Sequence, residues 1–427
     1  MNTQVGLMQR IKSWNTALGQ FFDGKRDLYA TFGYRSSISA ADLMFKYQRQ
    51  DIATRIVEAD PRACWASPPK PIADEAFEKA WQDVVSRTDM FHHIYRLDNM
   101  VGMFSYGVLL LGFDDGKDLN TPLEEGSSKK LNFVQPYSEV SVEIKEFERD
   151  SNSPLFAMPK IYTIRAQNIQ FGSRQVFRSE PISVHASRVI HVAENTLEST
   201  VYGNPRLIRV FNLLDDVLKT IGGAAETYWL SGSKGLQADI DKEMELTPED
   251  AETLADEIEE YQHQLRRFIR TRGVTIKDLG GKVADPRGVF STQIALISSS
   301  TGIPQRILLG AEAGQLASAQ DRANWAVRVE ERREIFAKPI ILNPLVRRLV
   351  FAGVIPVPEK LAWKWPDAFK QSPLERAQTS AQRARTLANV SKALSDEKPP
   401  IDRDEGRMII GLDEPEPIFD DPDDVKI

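Results

Sequence analysis

The sequence predicts an α+β fold that is mainly helical, on the basis of three observations. Apolar residues recur at spacings of three and four from Leu207 to Ile221, which is typical of a long amphipathic helix. Residues 101–195 contain short runs rich in Val, Ile, Phe and Tyr, separated by Gly, Pro, Asp and Asn, which predict an antiparallel β layer. The chain of 427 residues is also long enough for about three domains.

The N-terminal elements are predicted from periodicity and from helix end signals. Residues 1–39 are interpreted as a surface arm. Apolar positions from Ala40 to Ala59 predict one helix. We expect it to end at Asp60, because the residue before Pro61 is pushed out of the helical region. Asp74 is expected to cap the next helix, whose apolar residues share one face: Phe77, Trp81, Val84 and Val85.

Helical periodicity returns after the β layer. A helix is expected from Asn204, with Pro205 at its first helical position, and a second from about Val289 to Thr301. Residues 322–350 predict a long helical region, in which Pro339 and Pro344 should cause kinks or breaks. A last amphipathic helix is expected over residues 372–394.

The distribution of charge excludes a basic protein that coats nucleic acid. The net charge is −7, from 54 Lys and Arg against 61 Asp and Glu. Residues 411–427 alone carry −6, so the other 410 residues carry −1. We expect this acidic, proline-containing tail to be disordered.

One segment is strongly polarised. Residues 239–260 contain eleven acids and one base, whereas residues 261–282 contain six bases and one acid. The arrangement fits a solvated helix, since charge runs usually form exposed faces. It also fits a surface that pairs head to tail with copies of the same chain.

Motifs for catalysis, cofactors and membranes are missing from the sequence. The five histidines have no HExxH or similar metal spacing, and GxGxxG, GxxxxGK[ST] and GxSxG do not occur. The pair Asp114–Asp115 is interpreted as part of a hydrated loop, and Cys64, the single cysteine, as a small core residue. No apolar run approaches the ~20 residues of a membrane helix, and the N-terminus lacks a signal-peptide stretch. We therefore expect a soluble protein that is not an enzyme and has no cofactor, metal site or membrane partner.

Two stretches and the order of the elements resemble a known family. The stretches are VHASRVIHV, before the first long helix, and TGIPQRILLGAEAGQLASAQDRANW, before the kinked helix. Together with the element order over residues 40–395, they make the chain similar to the portal proteins of tailed bacteriophages. The resemblance implies a portal-type subunit with wing, stem, clip, tunnel loop and crown.

The resemblance also implies boundaries along the chain. They are an N-terminal arm over 1–39, a wing over 40–203, stem helix 1 over 204–233, an αβ clip over 234–286, stem helix 2 over 287–304, a tunnel loop over 305–321, a kinked wing helix and connection over 322–371, a helical crown over 372–410 and the acidic tail over 411–427.

The implied function is a ring of twelve subunits at one capsid vertex, through which double-stranded DNA is packaged and ejected. The implied partners are the terminase large subunit, the capsid protein and head-completion or adaptor proteins, with assembly in the host cytoplasm. The tunnel loop facing the DNA channel would include Gly310, Glu312, Gly314, Gln315, Ala317, Ser318 and Gln320. The clip interface would include Glu257, Glu260, Arg266, Arg267, Arg270 and Arg272.

The residues themselves agree with a DNA conduit. A wall that gripped phosphates would stall translocation, and the nearly neutral body of the chain avoids this. Small residues in the tunnel-loop segment leave room for a duplex, and glycine gives its backbone freedom to move.

Two other functions remain open. One is a relative of phage anti-defence phosphodiesterases that cut cyclic oligonucleotides and resemble two-histidine phosphoesterases. Such a site needs two His-x-Ser/Thr motifs, and only His185-Ala186-Ser187 matches. The other is a scaffold or adaptor that forms no ring.

Overall fold

The structure is a computed structural model. It describes residues 21–22, 26–165, 167–169, 176–178, 180–232, 236–240, 247–250, 252–253, 255–256, 274–278, 285–310, 315–366 and 380–389. The chain divides into two units, residues 1–366 and residues 367–427. In the second unit residues 380–389 are helical, within the predicted crown helix.

Helices dominate the first unit. They are α1 (Leu28–Phe32), α2 (Ala40–Arg49), α3 (Asp51–Trp65), α4 (Glu75–Thr88), α5 (Met90–Met103), α6 (Phe211–Gly232), α7 (Arg287–Thr301), α8 (Gln305–Leu309), α9 (Gln315–Arg332) and α10 (Asn343–Ala352). Short 3₁₀ turns lie at Ala186–Arg188 and Ile208–Val210, and a π-helical stretch, Arg333–Leu342, joins α9 to α10.

The strands are short and antiparallel. They are β1 (Phe21–Phe22), β2 (Arg26–Asp27), β3 (Lys70–Ile72), β4 (Gly107–Phe113), β5 (Leu131–Ser138), β6 (Val142–Phe147), β7 (Pro159–Ile164), β8 (Gln167–Ile169), β9 (Val176–Arg178), β10 (Ile182–His185), β11 (Val189–Val192), β12 (Leu236–Ile240), β13 (Val274–Asp278) and β14 (Ala362–Lys364).

Two three-stranded sheets form the predicted antiparallel β layer. One has the order β11-β4-β5 and the other β10-β7-β6. Every residue of β4 is buried, because successive side chains point to opposite faces and both faces are covered. Leu109 and Leu111 enter one apolar cluster with α4, α5 and α10, whereas Val108 and Leu110 enter another with Tyr162 of β7.

A third apolar cluster positions the stem. It brings together residues of α2 and α3, the start of α6 and the inner face of α7. Leu214 of α6 and Ile297 of α7 are fully buried in it. The segments predicted as wing and stem therefore share one core.

The prediction of one helix from Ala40 to Ala59 is wrong, because the segment forms two helices and the second continues beyond Ala59. The chain breaks at Gln50, whose backbone is extended, so that α2 and α3 are separate helices. Pro61 lies inside α3, which continues to Trp65. The predicted Asp74 cap is confirmed, since its side chain accepts a hydrogen bond from the Phe77 backbone N–H at 3.2 Å.

The later helices also differ in detail from expectation. α6 begins at Phe211, after a 3₁₀ turn, rather than at Asn204, so Pro205 is not a first helical residue. A helix begins at Gln315, inside the predicted tunnel loop, and helical structure continues to Ala352 without a break at Pro339 or Pro344. A π-helical stretch, Arg333–Leu342, accommodates Pro339.

Candidate channel and assembly site

A buried cluster of four charged side chains joins the predicted wing to the base of the predicted stem. Asp98 of α5 accepts hydrogen bonds from Arg332 Nη2 at 2.6 Å and Arg206 Nη2 at 3.2 Å. Glu194, just after β11, accepts from Arg206 Nη2 at 2.6 Å and also pairs with Arg332. Trp65 Nε1 donates to the second Asp98 oxygen at 2.7 Å. The cluster therefore links α3, α5, the entry to the stem and the end of α9.

The cluster balances its charges while excluding water. Burial alone would raise the pKa of Glu194, but the two guanidinium groups of Arg206 and Arg332 outweigh it and lower that pKa to about 2. Burial likewise opposes the charge on Arg332, yet Asp98 and Glu194 raise its pKa. Removing one member would leave an uncompensated buried charge, which is strongly destabilising.

Arg206 also explains how a proline is accommodated in α3. Pro61 has no N–H, so the carbonyl four residues earlier, that of Val57, loses its helical partner. Arg206 Nη1 donates to the Val57 carbonyl at 2.5 Å. The guanidinium reaches this position past Gly102, where an added Cβ would lie 2.6 Å from the Arg206 Cζ. The side chain of Arg206 thus replaces a backbone donor.

The two predicted stem helices, α6 and α7, pack against each other near the wing. Ile294 and Ile297 of α7 are buried in the same cluster as Leu214 and Val217 of α6. Gln293 Nε2 donates to Thr220 Oγ1 at 2.9 Å, which aligns the two helices further from the wing.

Helix α2 fixes the stem to the wing through polar contacts. Lys46 Nζ forms an ion pair with Asp215 Oδ1 at 2.6 Å and lies 4.1 Å from the centre of the Phe211 ring. Gln50, at the break between α2 and α3, donates to the Leu214 carbonyl at 2.7 Å. The early end of α2 is therefore used for a contact to the stem.

A groove of 800 Å³ opens between the stem and the wing. Its apolar lining includes Leu218 and Ile221 of α6, Phe290 of α7 and Leu309 of α8. Charged residues at the corner of α2 and α3 also line it: Arg49, Asp51 and Arg55. The side chains of Leu218, Ile221 and Leu309 are exposed in the single subunit.

The described residues of the predicted tunnel loop, 305–310 and 315–321, are helical apart from Gly310. Residues 305–309 form α8, and Gly310 ends it with a left-handed φ of +68° that favours glycine. Glu312 and Gly314 lie outside the described residues. Gln315, Ala317, Ser318 and Gln320 are helical residues of α9. Gln320 is exposed and its side chain bonds to that of Asn324 at 3.0 Å.

The predicted clip is described only in part. Strands β12 and β13 pair in antiparallel fashion, with Ala238 opposite Ile276. The proposed interface residues lie outside the described residues: Glu257, Glu260, Arg266, Arg267, Arg270 and Arg272. Their role remains a prediction.

The His185-Ala186-Ser187 motif has a structural explanation. His185 Nδ1 lies 2.8 Å from Ser187 Oγ and accepts the Ser187 backbone N–H at 3.1 Å, which caps a 3₁₀ turn. Ser187 Oγ also accepts the Leu123 N–H at 2.7 Å. Burial lowers the pKa of His185, with neighbouring cations adding to the effect. The motif therefore connects β10 to the 121–123 segment.

The interpretation of Asp115 as part of a hydrated loop is wrong. Its side chain is buried and pairs with the fully buried Arg188. Arg188 Nε also donates to the Thr121 carbonyl at 2.9 Å. The pKa of Asp115 is lowered because hydrogen bonding and the Arg188 charge outweigh the opposing effect of burial. Cys64, in contrast, is a fully buried core residue as predicted.

The described residues offer neither a metal site nor a membrane span. They contain no group of three or more His, Cys, Asp or Glu side chains arranged to hold a metal ion. Within the same residues, no helix combines the length and apolar character required to cross a membrane.

Comparison with known protein families identifies the family of this chain. The phage portal protein family matches residues 43–389. The chain is a member of the phage portal protein family. The match spans the buried cluster and helices α6, α7, α9 and α10, and the predicted family, fold class and portal ring role are confirmed.

Two solved structures of low sequence identity are similar to this chain in fold, and a third matches with a lower TM-score. The neck of a native gene transfer agent particle, computed with C12 symmetry, is 14% identical and has a TM-score of 0.53, with 88% of this chain and 93% of that chain covered. The neck of an empty particle, computed with C6 symmetry, is 15% identical with a TM-score of 0.51, over 88% and 95% of the two chains. An HK97-family phage portal protein from Corynebacterium diphtheriae is 11% identical with a TM-score of 0.40, over 77% and 95%. The comparison with curated proteins found no match.

The buried cluster is the feature of this portal subunit that the sequence analysis missed. Its members are separated by as many as 234 positions, so no local motif contains them. One signal was present: Asp98 is a carboxylate on an apolar helix, next to Leu97 and close to Ile94 and Val101, all buried. A buried carboxylate requires a cationic or hydrogen-bonding partner, which points to distant arginines.

Proposed function

We propose that this portal protein forms a closed ring of twelve copies at one capsid vertex and that double-stranded DNA passes through the ring during packaging and ejection. The observation that carries the proposal is the portal family match over both stem helices. The C12 symmetry of the gene transfer agent neck supports the number twelve. The nearly neutral body of the chain supports passage of DNA without tight binding.

The proposed partners follow the predicted segments. The clip docks the terminase large subunit during packaging and head-completion or adaptor proteins afterwards, and the capsid protein surrounds the wing. The tunnel-loop residues face the DNA. The subunit assembles in the host cytoplasm and resides in the virion. Its role is mechanical, and ATP hydrolysis belongs to the terminase.

Mass photometry of the purified chain, followed by negative-stain microscopy, tests the ring directly. If the ring has the twelvefold symmetry of the gene transfer agent neck, we expect particles with about twelve times the mass of one subunit. The images should show rings with a central opening. A chain that stays monomeric at all concentrations contradicts the ring and favours the scaffold or adaptor role.

Two pairs of substitutions test the segment assignments. Arg266→Glu with Arg267→Glu should impair ring formation or terminase docking while leaving the subunit folded. Normal rings with normal packaging would contradict the clip assignment. Gly314→Trp with Ala317→Trp should leave rings intact and reduce DNA packaging or retention, and loss of assembly instead would identify these residues as packed structure.

A further inference from the structure

The stem helix α6 has one apolar stripe that is covered at one end and open at the other. Leu214, Ile221 and Tyr228 follow one another at intervals of seven residues, so they lie on the same helix face. Their exposed fractions rise from 0% through 45% to 76%. Among the described residues the stripe therefore continues beyond the part that is covered, and Ile221 forms part of the groove between stem and wing.

Helix α7 has two apolar faces, of which the subunit covers one. Ile294 and Ile297 are buried against α6 and the wing. Val289 and Leu296 are also seven residues apart, but they are 56% and 51% exposed. Neither residue lines the groove, so they belong to a different surface of the stem.

The middle of α6 contains two consecutive glycines and therefore has no side chains at these positions. Gly222 and Gly223 directly follow Ile221, and a Cβ added at either glycine would meet nothing within 4 Å. Glycine weakens the interior of a helix relative to alanine, and none of the residues that the structure describes uses the space that these two glycines leave open. Close approach of a helix from outside the subunit accounts for both facts, together with the exposed apolar stripe.

We propose that the Val289–Leu296 face of α7 from a second copy of the chain packs into the groove at Leu218 and Ile221, with the backbone crossing at Gly222–Gly223. This inference rests on the ring function proposed above. A ring needs a heterologous interface, in which two different surfaces of one subunit meet on neighbouring copies. The stem presents two such surfaces, both apolar and both with the seven-residue period of helices that pack at about 20°.

The chemistry of the two faces favours protein over DNA as the occupant. The residues that form the stripes carry no charge: Leu214, Leu218, Ile221, Tyr228, Val289 and Leu296. Binding to a DNA backbone depends on basic side chains that neutralise phosphates. An apolar stripe gains free energy when another apolar stripe removes it from water, and the second copy supplies one of matching period.

A pair of complementary variants tests the interface. Ile221→Glu alters only the groove and Leu296→Glu only the α7 face. Each variant alone should remain monomeric by mass photometry, because every ring contact would contain one altered face. Val357→Glu is a matched control, since Val357 is also an exposed apolar residue at 75%, and it should form rings as the unaltered chain does.

An equimolar mixture of the two variants gives the most specific result. The intact α7 face of Ile221→Glu can enter the intact groove of Leu296→Glu, but the two remaining faces are both altered. The mixture should therefore form heterodimers and stop there. Full rings from the mixture, or rings from both single variants, would overturn the proposal.

Cross-linking provides a measurement that does not depend on loss of assembly. A double variant, Ile221→Cys with Leu296→Cys, treated with a short bis-maleimide should give a ladder of covalent oligomers on a denaturing gel. The native Cys64 is fully buried and should not react. Ile221→Cys combined with Val357→Cys should give no ladder, and an equal ladder from this control would contradict the interface.

The remaining outcomes separate the two proposals. If the unaltered chain forms no rings, the ring function and the interface both fail. If the unaltered chain and both single variants form rings, the interface alone fails. If the variants form rings but lose packaged DNA, the stripes contact DNA instead of a second copy.

Discussion

The upper and lower parts of the stem contain the same helices but depend on different surroundings. The upper stem, residues 207–217, is covered by the wing and lies beside the buried charged cluster. The lower stem, residues 218–229 of α6, keeps the apolar pattern but has large exposed side chains at Leu218, Tyr228 and Trp229. The upper stem is therefore stabilised within one subunit, whereas the lower stem leaves its apolar surface exposed, as the proposed contact with a second copy would need.

The largest expected effect comes from breaking the cluster beside the upper stem. Arg206→Leu would leave Asp98 and Glu194 with one arginine between them and would remove the donor to the Val57 carbonyl. We expect the free energy of unfolding to fall by about 3–5 kcal/mol, measured by chemical denaturation of the monomeric subunit.

The control for this substitution is an exposed arginine in a helix. Arg87 forms a surface ion pair with Asp83 at 3.1 Å. Arg87→Leu should change stability by less than about 1 kcal/mol, since water already screens such pairs. Equal effects of the two substitutions would show that the buried cluster has no special role.

The second prediction compares two positions on a single stripe. Leu214→Ala should lower the free energy of unfolding by about 2–5 kcal/mol, because it leaves a cavity in a packed core. Ile221→Ala, one repeat further along α6, should have well under half that effect in the monomer, because its side chain is 45% exposed. Thermal unfolding of both variants at a concentration that prevents assembly makes the comparison, and equal losses would contradict the proposed difference between the two parts of the stem.

A third prediction concerns pH. Folding lowers the pKa of Glu194 from 4.5 to about 2, so the folded state favours the ionised form of this side chain more than the unfolded state does. The resulting stabilisation is complete above the unfolded pKa and is lost as the pH falls through the folded pKa. As the pH is lowered through this range, the denaturation midpoint of the unaltered chain should fall. The midpoint of Glu194→Gln should fall less steeply. Identical slopes would contradict the assignment.

The smallest expected effect is a gain in stability. Gly222→Ala should raise the free energy of unfolding of the monomer by up to about 1 kcal/mol, since alanine favours helix and the added methyl group meets open space. Gly102→Ala is the opposing case, because its methyl group would collide with the Arg206 guanidinium. A destabilised Gly222→Ala monomer would show that the glycine is needed within the subunit.

The sequence was a good guide where structure depends on local periodicity. The apolar repeat from Leu207 to Ile221 predicted the first stem helix, and the short β-branched runs predicted the antiparallel strands. It was a poor guide where a distant group replaces a local one. Pro61 should have ended its helix, but Arg206 supplies the missing donor, and no rule based on neighbouring residues contains that contact.

The candidate site shows the same division. The helix expected from about Val289 to Thr301 agrees closely with the observed α7, Arg287–Thr301, while its assignment to a stem remains a prediction. Periodicity alone could not show that the α6 stripe is covered at Leu214 and open at Tyr228, because burial depends on the elements that pack from elsewhere in the chain. Asp115 was misplaced for the same reason, since its partner Arg188 is 73 positions away.

The contact between Arg206 and the Val57 carbonyl also has a consequence for how related sequences can change. Pro61 creates the need for a donor, and Arg206 meets it across 149 positions. In a relative with a residue other than proline at position 61, the backbone N–H of that residue can donate to the carbonyl at position 57. Such a relative does not need arginine at position 206 for this hydrogen bond. The two positions should therefore covary, and a proline without the arginine should be the rarest combination.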